Sequence, residues 1–157
     1  MISREQFAEL SQTLRPRLRR DLRFVPERIT DWQDRDFLAV TNKQGSEGVL
    51  IVPFLDKTVP FLLESRKPNP MGRVEAIICD ICATWQRGTY SAVITFIVSP
   101  THSVSFLCCG DLQCSLHVRN KTKAATLART QLREQITPEA RIERLKQRLQ
   151  GILAIYD

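Results

Sequence analysis

The sequence contains no long uninterrupted apolar run, and its first residues lack the charged-then-apolar pattern of a secretion signal. The longest apolar run, residues 92–98, is interrupted by Thr95 and is far shorter than the roughly 20 residues that a membrane helix needs. Internal repeats and low-complexity tracts are also missing. We therefore expect a cytoplasmic protein with no membrane partner.

Motifs that mark common enzyme classes are missing too. The sequence has no phosphate-binding glycine loop, no H-E-x-x-H motif and no plausible nucleophile–base pair. Three acids in residues 31–36 lie close enough together for metal or acid–base chemistry, but their large apolar neighbours favour a structural role in turns. We predict that the chain is not an enzyme and has no small-molecule substrate.

The net charge of +6 is unevenly distributed along the chain. Residues 1–30 hold 7 basic and 4 acidic side chains, residues 31–110 hold 7 and 8, and residues 111–157 hold 9 and 5. The basic excess near both ends suits an acidic partner such as RNA, a ribosome or an acidic protein face. It suits the solvated surface of an ordinary soluble protein equally well, so charge alone leaves the partner open.

Periodicity predicts an N-terminal helical segment in residues 1–30, followed by one domain of α+β class in residues 31–157. A helix is expected at residues 3–14, and the arginine-rich residues 15–20 are expected to form a solvated face or linker in preference to a nucleic-acid arm. Four segments rich in β-branched and aromatic residues predict strands, the last two paired as a hairpin. These segments are residues 49–52, 59–63, 90–98 and 103–108. A final helix is predicted to be capped by Thr137.

Five cysteines are present, an odd number that argues against a disulfide framework in a chain without a signal peptide. Four of them form two close pairs, Cys79-x2-Cys82 and Cys109-x4-Cys114. Zinc prefers four such ligands in a tetrahedron, with thiolate sulfur at about 2.3 Å. The spacing predicts one structural Zn²⁺ held by these four residues, with no open position for a catalytic water.

The second pair lies where a predicted strand passes into a predicted helix. Gly110 permits a sharp turn, Asp111 is expected to cap the helix, and Cys114 is expected in the first helical turn, where the helix dipole favours a thiolate. A zinc knuckle, an antiparallel hairpin and a helix that supplies the last ligand together make a treble-clef zinc finger with flanking helices.

Two different roles for the cysteines remain open on the spacing alone. They could be buried residues that behave as small apolar side chains. Redox chemistry at Cys79 and Cys82 is a weaker alternative, because that motif should open a helix in a βαβ unit and a strand pattern follows here.

The third ligand position has competitors. Adjacent strand residues face opposite ways, so only one of Cys108 and Cys109 is expected to reach the ion. Cys108 shares a face with apolar neighbours, which suits a core position and favours Cys109. His102 and His117 are alternative ligands, although each is more simply explained as a surface or hydrogen-bonded side chain.

A four-thiolate zinc site is negatively charged, so basic groups are expected around it. Arg119, Lys121 and Lys123 follow the last cysteine within one or two helical turns. They either neutralise the site or contact a partner, and Trp85 is a further candidate for a partner contact.

The strongest resemblance to a known family lies in residues 109–119, Cys-Gly-Asp-Leu-Gln-Cys-Ser-Leu-His-Val-Arg. This segment resembles the C-x-D-L-x-C-S-L-x-V-R pattern in the C-terminal treble-clef zinc-finger domain of elongation factor G-binding proteins. Cys79-Asp-Ile-Cys82 is similar to the first knuckle of that family, and residues 32–38 are similar to its W-D-x-x-D-[FY]-L segment. The family includes FusB-type fusidic-acid resistance proteins, and the domain is also known from a "fibronectin-binding protein" family. The resemblance covers about residues 30–150.

The resemblance implies a mixed α/β domain with the four paired cysteines as zinc ligands. It also implies a translation partner, because the resistance proteins bind elongation factor G and help it to leave a ribosome stalled by fusidic acid. Ala83 departs from the family, which has an aromatic residue straight after the first knuckle. Our hypothesis is a zinc-stabilised module that binds elongation factor G or the ribosome. The alternative is an RNA-binding zinc module that uses the same basic groups and residues 15–20.

Overall fold

The computed structural model describes residues 32–123 and 136–157. The chain divides into two compact units, one ending at Leu63 and the other running from Glu64 to Asp157. The predicted helix at residues 3–14 and the arginine-rich residues 15–20 lie outside the described residues. The N-terminal helical segment therefore stays a prediction, as does the single domain over residues 31–157.

The first unit contains a β-meander. Strands β1 (Leu38–Thr41), β2 (Glu47–Val52) and β3 (Lys57–Ser65) pair antiparallel in chain order, and β3 crosses the boundary between the units. The predicted strands at residues 49–52 and 59–63 are confirmed, whereas β1 was not predicted.

Burial explains why β2 reads as a continuous apolar run. All of its residues after Glu47 are buried, and Leu50 and Val52 have no exposed surface. Gly48 is one of these buried residues. A Cβ at this position would lie 2.5 Å from the Phe61 ring and 2.5 Å from the Val40 carbonyl oxygen. The strand therefore needs glycine at this position to pack against both neighbours.

The second unit is built from a short ribbon, a long hairpin and two described helices. Its elements are β4 (Ile77–Ile78), β5 (Trp85–Gln86), β6 (Ser91–Ser99), β7 (His102–Cys109), α1 (Cys114–Val118) and α2 (Pro138–Leu153). Strands β4 and β5 pair antiparallel, as do β6 and β7. The predicted hairpin is therefore confirmed. None of the helices in the described ranges is long and apolar enough to cross a membrane.

Helix α2 begins as its sequence predicts. The Thr137 side chain accepts a hydrogen bond from the Ala140 N–H at 3.3 Å, which satisfies a backbone donor that the first turn leaves unpaired. Leu145, Leu149 and Leu153 follow at intervals of four residues, and none of them has exposed surface. The apolar face of α2 is therefore part of the core of the second unit.

Candidate metal centre

Residues 79–84 form a tight turn that brings two sulfur atoms to one side. The Ala83 N–H donates to the Cys79 carbonyl at 2.8 Å, and the Cys79 N–H donates to the Thr84 carbonyl at 3.0 Å. Ala83 adopts a left-handed conformation with φ of 56°, which allows the chain to reverse within so few residues. Cys79 and Cys82 are both buried.

The second pair stands at the end of β7 and the start of α1. The Gly110 N–H donates to the Tyr90 carbonyl at 2.7 Å, and a Cβ on Gly110 would lie 3.0 Å from that carbonyl oxygen. This close approach favours glycine. Leu112 then turns the chain with φ of 52°, and Cys114 is the first residue of α1, as predicted.

The predicted capping role of Asp111 is wrong. The N-cap position of α1 is Gln113, which makes no side-chain capping bond. Asp111 lies before this position, and its Oδ1 accepts a hydrogen bond from the Gln113 N–H at 3.0 Å. Its carboxylate therefore stabilises the turn before the helix.

The four paired cysteines form one sulfur cluster. The sulfurs of Cys79, Cys82, Cys109 and Cys114 all lie within 4.8 Å of one another. The Cys79–Cys114 separation is 3.8 Å and the Cys82–Cys109 separation is 3.5 Å. A tetrahedron with zinc–sulfur bonds of about 2.3 Å has edges of about 3.8 Å, so the donor set and its spacing fit Zn²⁺.

Cys108 lies outside this cluster, although its side chain has no exposed surface. Burial, reinforced by the negative charges of Cys79 and Cys82, raises the pKa of Cys108 well above its usual value. A thiol in that environment stays protonated and is a poor metal ligand. His102, at the start of β7, is exposed.

A family comparison agrees with this geometry. The family model described as "FBP C-terminal treble-clef zinc-finger" matches residues 17–155. The chain belongs to this family. Searches of curated proteins and of solved structures returned no match. The family match and the buried sulfur cluster confirm the predicted treble-clef α+β fold and Zn²⁺ as the cofactor.

His117 lies next to the sulfur cluster of this zinc finger. The imidazole is 1% exposed, and its Nδ1 lies 3.2 Å from Cys109 Sγ. Its Nε2 lies 3.3 Å from Asp111 Oδ2. Burial by itself lowers the pKa of His117, but the nearby Asp111 carboxylate and the interaction with the Cys82 sulfur outweigh it and raise the pKa to about 9.

Asp111 responds to the same contacts. Burial acts to raise the pKa of its carboxyl, but the nearby His117 imidazole and the hydrogen bond from the Gln113 N–H lower it below the ordinary value. The sequence did indicate that His117 lies near the sulfur cluster. Because His117 follows Cys114 by three residues on a helix, both side chains are expected on the same face.

The contact of Arg148 with the first zinc knuckle could not be predicted from the sequence. From α2, its Nη1 donates to the Asp80 carbonyl at 3.0 Å and lies 3.4 Å from the Cys79 carbonyl. Asp80 is also tied to β7, because its Oδ2 accepts from the Leu107 N–H at 2.7 Å. The first zinc knuckle of the finger is therefore held by β7 and by α2.

The predicted partner contacts lie at two places in the second unit. Arg119 is half-buried at the end of α1, where its Nη1 donates to the Ser115 carbonyl at 2.8 Å. Lys121 and Lys123 follow it and are exposed. Trp85 is half-buried on β5, directly opposite Ile78, which is 54% exposed.

Proposed function

We propose that this protein is a cytoplasmic, non-enzymatic binding module in which Cys79, Cys82, Cys109 and Cys114 hold one structural Zn²⁺. The observation that carries the proposal is the burial of the sulfur cluster, since none of its four cysteines is more than 1% exposed. Structural zinc sites are closed by four protein ligands, whereas catalytic sites keep one position for water or substrate. The metal would shape a surface and perform no chemistry.

The proposed partner is elongation factor G or the ribosome, a choice that rests on the family resemblance. Two described features support a contact surface close to the zinc centre. Lys121 and Lys123 present positive charge just after α1, which suits an acidic protein face or RNA. Ile78 and Trp85 are directly opposite each other on β4 and β5, so they share a face that is partly open to solvent.

Native mass spectrometry of the purified chain tests the zinc assignment. We expect one bound zinc per chain, its loss in Cys109→Ala, and its retention in Cys108→Ala. The two cysteines are adjacent and both have no exposed surface, so Cys108→Ala is a matched control for the loss of a buried thiol. A wild-type chain without metal, or zinc lost only in Cys108→Ala, would contradict the proposal.

Calorimetry with purified elongation factor G, and separately with ribosomes, tests the partner. We expect micromolar binding that a chelator abolishes, and about a tenfold weaker Kd in the Lys121→Glu/Lys123→Glu double variant, equivalent to about 1.4 kcal/mol. Lys43→Glu/Lys67→Glu is the control, because both of those lysines are exposed and the net charge changes equally. Binding that is absent with and without chelator, for both partners, would refute this assignment.

RNA binding is the second candidate function, favoured by the exposed Lys121 and Lys123 and by the net charge of +6. It requires an affinity for RNA that falls steeply as salt rises, because the basic groups displace condensed counterions. Tight, salt-sensitive binding to RNA together with no binding to elongation factor G would favour this candidate over the first.

A further inference from the structure

A chain of polar contacts leads from the protein surface to one sulfur of the cluster. Asp111 has a side chain that is 54% exposed, and its Oδ2 lies 3.3 Å from His117 Nε2. His117 is almost completely buried, and its Nδ1 lies 3.2 Å from Cys109 Sγ. Asp111 is itself held in place, because its other oxygen accepts the Gln113 N–H at 3.0 Å.

The chemistry of the two neighbours sets the direction of these bonds. A thiolate is an acceptor only, so in a hydrogen bond with Cys109 the Nδ1 of His117 has to supply the hydrogen, while the Asp111 carboxylate faces Nε2 as an ion-pair partner. The amide nitrogen of Gln86 is a more distant neighbour of Nδ1, at 3.5 Å. The contact to the Cys109 sulfur is the shorter one, at 3.2 Å, so a hydrogen on Nδ1 is better placed to reach the sulfur.

We propose that His117 is a positioning residue of the metal centre, which donates its Nδ1–H to the Cys109 sulfur and is oriented by Asp111. This inference rests on the zinc ligation proposed above. Side chains that hydrogen-bond to metal ligands orient those ligands and tune the metal, and their removal typically weakens metal binding by about 10- to 100-fold.

The bond to His117 has a specific consequence for Cys109. A hydrogen bond draws electron density from a thiolate and spreads the negative charge of the four-sulfur site. Cys109 should therefore be less reactive towards alkylating agents than a thiolate without such a donor. A structural role in packing alone would leave the electronic properties of the sulfur unchanged.

A second metal ion is the competing explanation. Cys109, Asp111 and His117 also place their ligand atoms within 4.8 Å of one another. An ion held by this set would have to share Cys109 with the four-cysteine site, and it would give two metal ions per chain. One metal ion per chain supports the hydrogen-bonded arrangement, and two overturn it.

The test uses the full chain loaded with Co²⁺, whose sulfur-to-metal charge-transfer band reports on the thiolates, and with Zn²⁺ for competition against a chromophoric chelator. We expect His117→Ala to shift the band and to weaken zinc binding by about 10- to 100-fold. His117→Asn should restore most of both properties, because its side-chain amide can place an N–H close to the position of Nδ1. His102→Ala is the control, since His102 is exposed and should change neither property.

The outcomes separate this inference from the proposed function. If the wild type binds no metal, both the assignment of the zinc ligands and the proposed role of His117 are refuted. If the wild type binds one zinc and His117→Ala matches it in spectrum and affinity, only the role of His117 falls. Should His117→Ala fail to fold, the proposal stands or falls on Asp111→Asn, a milder variant expected to shift the band in the same direction.

Discussion

Arg148 links α2 to the first zinc knuckle, and its replacement by methionine is the most informative single change outside the metal centre. The half-buried side chain places Nη1 3.0 Å from the Asp80 carbonyl oxygen and 3.4 Å from that of Cys79. Arg148→Met keeps an unbranched apolar side chain in place of the arginine stem and removes all of the donors. The two carbonyl groups then lose a charged partner.

The magnitude follows from the geometry of these two contacts. The 3.0 Å bond lies in the normal range, whereas the 3.4 Å contact lies beyond it and should add little. A hydrogen bond that involves a charged group contributes about 1.5–3 kcal/mol, and the partial exposure of Arg148 places it at the lower end. We expect a loss of about 1.5–2 kcal/mol in the free energy of unfolding, or roughly 3–8 °C in Tm.

Thermal unfolding of the zinc-loaded protein, followed by circular dichroism, measures this loss. Arg73→Met is the matched control, because it removes the same side chain from an exposed position. Transfer of zinc to a chromophoric chelator should also be faster in Arg148→Met, since the knuckle that holds two of the sulfurs is less constrained. If the two variants unfold at the same temperature and release zinc at the same rate, the proposed link between α2 and the knuckle is refuted.

Three further substitutions test local packing and helix capping, each measured by urea unfolding of the zinc-loaded protein. Gly88→Ala should lower the free energy of unfolding by about 3 kcal/mol, because the new Cβ would collide with the Val74 backbone. Gly151→Ala on α2 meets nothing within 4 Å and should raise it by about 0.5–1 kcal/mol. Equal effects of the two substitutions would contradict this packing. Thr137→Ala should lower the free energy of unfolding by about 1 kcal/mol, because the Ala140 N–H loses its capping acceptor. An unchanged urea midpoint would show that this hydrogen bond contributes nothing to stability.

Much of the second unit could be predicted because its signals are local. Apolar and β-branched residues over 90–98 and 103–108 predict a hairpin from the period of a strand alone, and β6 and β7 follow it closely. Thr137 and Pro138 begin α2 through contacts within one helical turn. Strand β1 was missed, and its place in the sheet is fixed by pairing with β2.

In the metal centre too, the features that depend on nearby residues could be predicted, and those that depend on distant residues could not. Sequence spacing predicted which cysteines come together, and strand alternation with the family pattern favoured Cys109 over Cys108; the sulfur cluster contains these four residues. Only the tertiary structure decided what surrounds them. Arg148 is 68 residues from Asp80, and no local pattern relates two positions so far apart.

The same distinction applies to Asp111 and His117, which lie beside Cys109. The sequence predicted a helix cap at Asp111 and an alternative ligand at His117, because a helix start and a nearby histidine can be recognised from neighbours alone. Their actual contacts depend on where β7 ends and how α1 is oriented over the sulfur cluster. Side-chain hydrogen bonds in a buried site form only after packing has excluded water, so they are a property of the folded chain.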